Sequence, residues 1–162
     1  MQRSQLSVIS AVVFAMSLAS VPARAIELPT RPVLTLEAAR TVAAAAESKA
    51  KMEGWPCVIS ITDDAGLPIL LTRMDNAAVP AGVELAPGKA RTAALFRRES
   101  GALEDAVNGK RPAAITARGF VLMRGGVPIV VGGRIVGAIG VSADTPDHDE
   151  QIAKAGSVAL SQ

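Results

Sequence analysis

The stretch GGVPIVVGGRIVGAIGVS, residues 125–142, decides the fold predicted for this chain. Gly132 and Gly133 separate two runs rich in valine and isoleucine, a pattern typical of a two-residue β-hairpin turn. Pro128 lies in the first run. Because proline cannot donate a hydrogen bond to a neighbouring strand, this strand is expected at the edge of a sheet. The stretch therefore predicts an antiparallel strand pair, and residues 118–142 as a whole are expected to form two or three strands.

A second hairpin is predicted upstream. Strands at 57–62 and 67–74 flank Asp63-Asp64-Ala65-Gly66, in which the glycine can adopt the positive φ that a tight turn needs. The first strand begins with Cys57, the only cysteine of the chain, so no intramolecular disulfide can form. Cys57 alternates with isoleucines along the strand, which favours a buried cysteine that behaves as a small apolar residue.

Helices are predicted before, between and after the hairpins. Thr35 can cap a first helix, whose small apolar residues recur at helical spacing until Gly54 ends it. Pro87 is expected in the first turn of a helix that continues through GKARTAALFRRES, and a short helix follows at ALEDAVNG. Thr145-Pro146 begins the last helix. Since short hairpins between strands require an antiparallel sheet, the chain is predicted to be one α+β domain.

Residues 1–25 have the features of a secretory signal peptide. An apolar run follows Arg3, and Val21-Pro-Ala-Arg-Ala25 supplies an Ala-x-Ala cleavage site. The apolar run is short for a membrane-spanning helix, so no membrane span is expected after cleavage. The alternative is that the segment is retained as a single membrane anchor. The mature protein is expected to be periplasmic or secreted, with an extended arm at 26–34 and a folded domain at 35–162.

Charge and aromatic content argue against nucleic acid as a partner. The chain has 17 basic and 15 acidic residues, but Arg3 and Arg24 lie in the predicted signal segment. Without them the two kinds of charge are equal in number, whereas nucleic-acid binding demands a basic surface. After position 25 the only aromatic residues are Trp55, Phe96 and Phe120, too few to provide stacking platforms for single strands.

Three stretches are distinctive as a set: ITDDAGLPILLTRMDNA (61–77), GKARTAALFRRES (88–100) and GGVPIVVGGRIVGAIGVSADTPDHDEQIAKAG (125–156). Together with the alanine-rich first helix they span nearly all of the chain after position 25. They resemble the GlcG-like, haem-binding family, which also includes the carboxy-terminal domain of the corrinoid-handling PduO proteins. The resemblance implies a five-stranded antiparallel sheet flanked by helices, broadly like profilin. It also implies homo-oligomers and, for some members, binding of haem or related tetrapyrroles.

One position departs from the family pattern. The family commonly has Gly-Val-Ser-Gly ahead of its Thr-Pro pair, and here the sequence is Gly140-Val-Ser-Ala143. Alanine tolerates a positive φ poorly. We therefore expect an altered loop ahead of the last helix, which would affect any ligand site built on that loop.

Basic residues of the middle helix are candidates for ligand binding. Lys89 and Arg97 are eight residues apart, so they can share a helix face, and Arg91 lies between them. A basic face can bind the carboxylates of haem propionates or of a small organic acid. The alternative is a solvated helix surface. Arg73 and Asp75 flank Met74 at a strand end and face the same side, where they either contact a ligand or pair with each other.

His148 is the only histidine of the chain. With Thr145 as the cap it is the third helical residue, a position where Glu or Gln often completes a capping box. One interpretation is an exposed helix-start residue. The other is an axial ligand to haem iron or another metal, with Asp147 or Asp149 orienting the second ring nitrogen. One histidine without a nearby cysteine cannot form a structural zinc site within a single chain.

Three functional hypotheses follow. The first is an exported, homo-oligomeric protein that binds haem or a similar flat, anionic organic ligand. The second is a small periplasmic enzyme of lyase or isomerase type acting on an organic acid or aromatic catabolite, in which Lys89 or an arginine holds the carboxylate and a nearby acid moves a proton. The third is a structural or partner-binding module without a small ligand.

Overall fold

The computed structural model describes residues 26–160, so the predicted signal segment lies outside the described residues and remains a prediction. The described part is one α+β domain with four α-helices, a short 3₁₀ helix and an antiparallel sheet. In chain order the elements are α1 (Leu36–Glu53), β1 (Val58–Asp63), β2 (Pro68–Arg73), α2 (Gly82–Phe96), α3 (Ser100–Asn108), the 3₁₀ helix Pro112–Thr116, β3 (Gly126–Val131), β4 (Arg134–Ser142) and α4 (Pro146–Ser157). Residues 26–35 form neither helix nor strand. Among residues 26–160, no helix combines the length and the apolar composition needed to cross a membrane.

The sheet has four strands in the order β2-β1-β4-β3, and every neighbouring pair is antiparallel. The expectation of five strands is therefore wrong for the described residues, and the implied likeness to profilin remains a prediction. Residues 118–125 form no strand because side chains take up backbone N–H groups that a strand would use. Thr92 accepts a hydrogen bond from the Val121 amide, and Glu104 accepts one from the Arg124 amide.

Both predicted hairpins are confirmed. Gly132 and Gly133 have φ values of 55° and 73°, and positive φ at both central residues is the requirement of a type I′ turn. Gly66 has a φ of 75°, and the Asp63 carboxylate accepts hydrogen bonds from the Ala65 and Leu67 amides of the same turn. Pro128 lies on the edge strand β3, as predicted.

Helices cover both faces of the sheet. One face carries the main core, in which alanines of α1 pack with Ile59, Ile139 and Ile152 from β1, β4 and α4. On the other face α2 lies so close to β4 that Ala93, Ala94 and Ala138 are almost fully buried. The small side chains of α2 allow this short distance between helix and sheet.

The helix ends follow the predicted signals with one exception. The Thr35 hydroxyl accepts a hydrogen bond from the Ala38 amide, and Gly54 ends α1 with a φ of 73°. However, α2 begins at Gly82, so Pro87 lies inside this helix and not in its first turn. Proline removes one N–H from the helix ladder, and the burial of one side of α2 against the sheet compensates for that loss.

Cys57 is fully buried, as the strand pattern predicted. Burial, reinforced by the negative charges of Asp149 and Glu47, raises the pKa of its thiol to about 12. Because only the thiolate is a good nucleophile or metal ligand, Cys57 is a structural residue of the core.

Candidate functional site

Lys89 lies in a buried ion pair between α2 and α4. Its side chain is 1% exposed, and its Nζ donates hydrogen bonds to Asp149 Oδ2 at 2.5 Å and to the Val141 carbonyl at 3.0 Å. The other oxygen of Asp149 accepts a hydrogen bond from the Ala143 amide. Burial raises the pKa of Asp149, although Lys89 and the Ala143 amide oppose this effect. The pair ties the start of α4 to α2 and to the end of β4.

Two glycines make room for this ion pair. A Cβ atom on Gly125 would lie 2.6 Å from Asp149 Cβ, and one on Gly126 would lie 2.3 Å from the Lys89 carbonyl oxygen. Gly125 also has a φ of 110°, which side chains rarely allow. The Gly125-Gly126 pair thus serves the close approach of the start of β3 to α2 and α4.

The loop at Ala143 is compatible with alanine. In the described part of the chain the residues other than glycine with a positive φ are Asn76 and Arg97. Ala143 therefore carries no strain of the kind expected from the family pattern, and the reason for predicting an altered loop does not apply. Its amide instead contributes to holding Asp149.

A second charged cluster joins α4 to α3 and to the segment before β3. Arg124 contacts Glu150 Oε2 at 2.5 Å and Asp105 Oδ1 at 2.7 Å. Lys154 contacts Glu150 Oε1 at 2.5 Å and Glu99 at 3.2 Å. Partial burial favours the protonated form of Glu150, but the hydrogen bonds from Arg124 and Lys154 outweigh it and lower its pKa to about 2.

The lowered pKa of Glu150 predicts a pH-dependent contribution to stability. An acid whose pKa is depressed on folding stabilises the protein fully above its unfolded value, here 4.5, and this contribution is lost as the pH falls towards 2. Glu150→Gln should therefore lower the free energy of unfolding at pH 7 by about 1–2 kcal/mol, because the group is partly exposed and solvent weakens its pairs. Urea unfolding at pH 7, 4 and 3 should show the difference from the unmodified protein shrinking as the pH falls.

Glu27→Gln is the matched control, since Glu27 is exposed and lies in the coil before α1. It should leave stability unchanged at every pH. If Glu150→Gln lowered the free energy of unfolding by the same amount at pH 7 and at pH 3, the pKa of Glu150 would not be lowered by folding.

A cavity of about 470 Å³ lies beside α3 and the 3₁₀ helix, and we call it the arginine-rimmed cavity. Its apolar walls include Phe96, Leu103 and Leu122, and the charged residues that line it are Arg98 and Arg111. Both arginines are exposed, and neither has a carboxylate partner within 4.0 Å among residues 26–160. The volume falls within the range of small-molecule sites, and the two guanidinium groups suit a ligand with carboxylates.

A cavity of similar size, about 460 Å³, lies on the other side of Leu122, which lines both. Phe96 lines the first cavity and Phe120 the second, and the two rings pack edge to face with centroids 4.9 Å apart. Among the described residues that line the second cavity, Glu104 is the only charged one. Because their volumes are nearly equal, charge decides between them, and an anionic ligand suits the arginine-rimmed cavity better.

Lys89 and Asp149 line a third, small cavity of about 130 Å³. The atoms that carry their charge are already engaged, since both oxygens of Asp149 accept hydrogen bonds from the protein. Their main contribution is therefore to hold the helices together.

The structure does not bring the predicted ligand residues into one site. Lys89 is buried and Arg97 lies beyond the end of α2, so the prediction that they share an exposed helix face is wrong. Arg91 is exposed with its guanidinium 5.2 Å from the centre of the Phe120 ring. Arg73 and Asp75 are exposed, and within the described residues no ion pair joins them.

His148 is the third residue of α4, as predicted, and its amide donates to the Thr145 hydroxyl at 3.3 Å. Its ring stacks on Trp55 with centroids 3.6 Å apart and an interplanar angle of 9°. Asp144 lies 2.7 Å from its Nδ1, so the orienting carboxylate is Asp144 and not Asp147 or Asp149. The hydrogen bond with His148 lowers the pKa of Asp144.

This geometry leaves one ring nitrogen of His148 available. A carboxylate can only accept, so Nδ1 carries the hydrogen and Nε2 keeps its lone pair in the neutral ring. The side chain is 27% exposed. Residues 26–160 contain no group of three or more His, Cys, Asp or Glu side chains placed to hold a metal ion. An axial bond to haem iron needs only one nitrogen, and it remains a prediction for His148.

Arg98 and Arg111 were not selected by sequence reasoning. Arg98 follows Arg97 in a basic pair, and no local pattern distinguishes the two. Arg111 lies between two helices, and the packing of the 3₁₀ helix beside α3 brings it to the same cavity as Arg98. No residue pattern around Arg111 marks it as a ligand-binding residue.

The similarity of the chain to known proteins agrees with this fold. A family model described as "Haem degrading protein HbpS-like" matches residues 34–157, which is most of the chain. The chain belongs to the HbpS-like family. Within this family it is similar to protein GlcG of Escherichia coli, with 41% identity over 115 residues, covering 71% of this chain and 85% of GlcG. The sequence-based resemblance is thus confirmed.

Solved structures of HbpS-like proteins show the same fold. A double mutant of Streptomyces reticuli HbpS superposes with a TM-score of 0.76 at 33% identity, covering 88% of this chain and 97% of that chain. A PduOC:haem complex gives a TM-score of 0.72 at 26% identity, covering 80% of this chain and 96% of that chain. The second of these proteins is, by its description, a complex with haem.

Proposed function

We propose that this protein binds haem, or a similar flat organic ligand with carboxylate groups, in the arginine-rimmed cavity. The observation that carries the proposal is the combination of apolar walls with two arginines that have no carboxylate partner among residues 26–160. Apolar walls favour burial of a flat ring system, and guanidinium groups form charged, bidentate hydrogen bonds with carboxylates. The choice of ligand is supported by the family, whose description names haem, and by the similarity to a protein solved as a haem complex.

The carboxylates of the ligand would lie at the cavity rim. Arg98 and Arg111 are exposed, so their charges stay hydrated while the ring system enters between Phe96, Leu103 and Leu122. An amphipathic tetrapyrrole requires apolar walls for its ring system and exposed basic groups for its carboxylates, and the cavity combines the two.

Haemin titration tests the proposal. The protein should produce a saturable Soret band, and Arg98→Gln and Arg111→Gln should each weaken binding about tenfold, the equivalent of one charged hydrogen bond. Arg118→Gln is the matched control. Arg118 is exposed and is not among the residues that line the cavity, and its substitution changes the net charge by the same amount. Equal affinity of all four proteins for haemin would overturn the assignment of the site.

His148 is the candidate iron ligand of the proposal. It does not line the arginine-rimmed cavity of its own chain, so ligation would require haem to lie between subunits. His148→Ala should then remove the low-spin haem spectrum while the far-UV circular dichroism stays unchanged. An unchanged spectrum would leave His148 as a helix-start residue stacked on Trp55.

Self-association and export are parts of the same proposal. Leu67 and Leu71, beside and on the edge strand β2, and Leu95 on α2 are exposed, and a second copy of the chain could cover them. A monomer mass from light scattering at micromolar concentration would contradict self-association. Export, to the periplasm or beyond, rests on the predicted signal segment, and sequencing the amino terminus of the mature protein would test it.

The enzyme hypothesis remains a prediction. In that hypothesis Lys89 binds the carboxylate of the substrate, and a nearby acid transfers a proton. In the structure Lys89 already donates to Asp149 and Val141, and both oxygens of Asp149 are engaged. These contacts favour a structural role for the pair over proton transfer.

A further inference from the structure

A separate cavity of about 360 Å³ lies where the β3–β4 turn, the β1–β2 turn and the end of α2 meet. Its lining includes Arg31, Asp64, Arg97, Gly133 and Arg134. None of these residues lines the arginine-rimmed cavity. A ligand site here would therefore be separate from the site of the proposed function.

The charges around this cavity do not balance. Arg31 pairs with Asp64, which is the only acid among the described residues of the lining. Arg97 and Arg134 are exposed and have no carboxylate within 4.0 Å in the part of the chain that the structure describes. The lining thus carries an excess of two positive charges, which favours an anionic ligand.

Arg97 holds an unfavourable backbone conformation at this site. Its φ is 54° and its ψ is 39°, the left-handed conformation, at the residue that ends α2. Glycine is the usual residue at such a position, and a side chain there costs free energy. An arginine in this conformation places a guanidinium on the cavity at the expense of local stability, and such outliers point to functional positions.

Gly133 in the β3–β4 turn adds no side chain to the lining of the cavity. A Cβ atom on Gly133 would have no neighbour within 4 Å among the described residues, and the same is true of Gly132. Arg134 follows directly as the first residue of β4. The two arginines without carboxylate partners therefore lie at the start of a strand and at the end of a helix, and not in a long loop.

From this arrangement we propose that the cavity is a second binding site, which takes a small organic dicarboxylate. Two guanidinium groups on separate elements match two carboxylates on one small molecule, and each pair can form bidentate hydrogen bonds. A volume of about 360 Å³ is at the lower end of small-molecule sites. Inorganic phosphate shares the anionic chemistry but is a single compact group and engages one guanidinium fully.

Calorimetric titration tests the site with succinate, malate, inorganic phosphate and acetate, each at constant ionic strength set with sodium chloride. The full protein should bind succinate or malate saturably and at least tenfold more tightly than acetate. Arg97→Gly and Arg134→Gln should each weaken this binding at least tenfold. Arg118→Gln, which removes the same charge from an exposed position outside the cavity, should leave it unchanged.

Arg97→Gly also separates binding from folding. Glycine accepts the left-handed conformation without strain, so the variant without ligand should melt at the same temperature as the unmodified protein or higher. Loss of dicarboxylate binding in a variant that is at least as stable cannot be attributed to unfolding. The proposal would be overturned if Arg97→Gly bound the dicarboxylates as tightly as the unmodified protein, or if Arg118→Gln weakened binding as much as Arg97→Gly does. Tighter binding of phosphate than of every dicarboxylate would also overturn it.

Discussion

Lys89→Met should lower the free energy of unfolding by about 3–5 kcal/mol, the cost of leaving one buried charge without its partner. The variant keeps the length of the side chain but removes the ammonium that donates to Asp149 and to the Val141 carbonyl. Asp149 is 6% exposed, so solvent replaces the lost partner poorly. Urea unfolding followed by circular dichroism at pH 7 measures the change.

The pH dependence of the same variant gives a second measurement. Burial already raises the pKa of Asp149, and Lys89 opposes the rise, so removing Lys89 should raise it further. An acid whose pKa rises on folding stabilises the folded state at low pH and loses this contribution as the pH increases. The cost of Lys89→Met should therefore be smaller at pH 4 than at pH 7.

Two further variants control the Lys89 experiment. Lys154→Met removes a half-exposed lysine that contacts Glu150 and Glu99, and it should cost no more than about 1 kcal/mol. Lys89→Met combined with Asp149→Asn should recover part of the loss, because the buried charge is gone while an oxygen remains for the Ala143 amide. A Lys89→Met variant no less stable than Lys154→Met would refute a buried ion pair.

Gly140→Ala should destabilise the protein by about 3 kcal/mol or more, near the upper end of overpacking costs. A Cβ atom at this position of β4 would lie 2.1 Å from the Ala86 carbonyl oxygen and 2.5 Å from the Ala90 amide nitrogen. Both atoms belong to the backbone of α2, so no rotamer change can relieve the contact. The midpoint of urea unfolding should fall accordingly.

Gly54→Ala is the matched control for Gly140→Ala. Gly54 has a φ of 73°, and a Cβ atom there would have no neighbour within 4 Å, so only conformational strain remains, about 1–2 kcal/mol. If both variants cost the same, close packing between α2 and β4 does not contribute to stability as described.

Several features were predictable because their signals are local. Gly132-Gly133 predicted a two-residue hairpin turn from two adjacent residues, and Thr35 and Gly54 predicted both ends of α1 from the residues at those ends. Pro128 predicted an edge strand from its missing N–H. In each case the physical cause lies within a few residues of the signal, so one chain suffices to detect it.

The family resemblance implied a fifth strand, and the residue pattern of 118–142 predicted two or three strands, of which two form. In the segment 118–125 the Val121 and Arg124 amides donate hydrogen bonds to the side chains of Thr92 and Glu104. These partners lie 29 and 20 residues away along the chain. Only after α2 and α3 have packed do they come within reach of the segment.

An α+β domain with two hairpins and capped helices could be predicted from the sequence, because turns, caps and apolar periodicity are encoded over short distances, and three stretches of residues carried the resemblance to the GlcG-like family. Which charged residues are buried or paired depends on the tertiary structure. Lys89 and Arg97 lie in one basic stretch, yet the first is buried against Asp149, 60 residues away, and the second lines a cavity together with Arg134. Whether a charge is buried, paired or left to bind a ligand depends on which distant elements pack around it, and helical spacing carries no information about those elements.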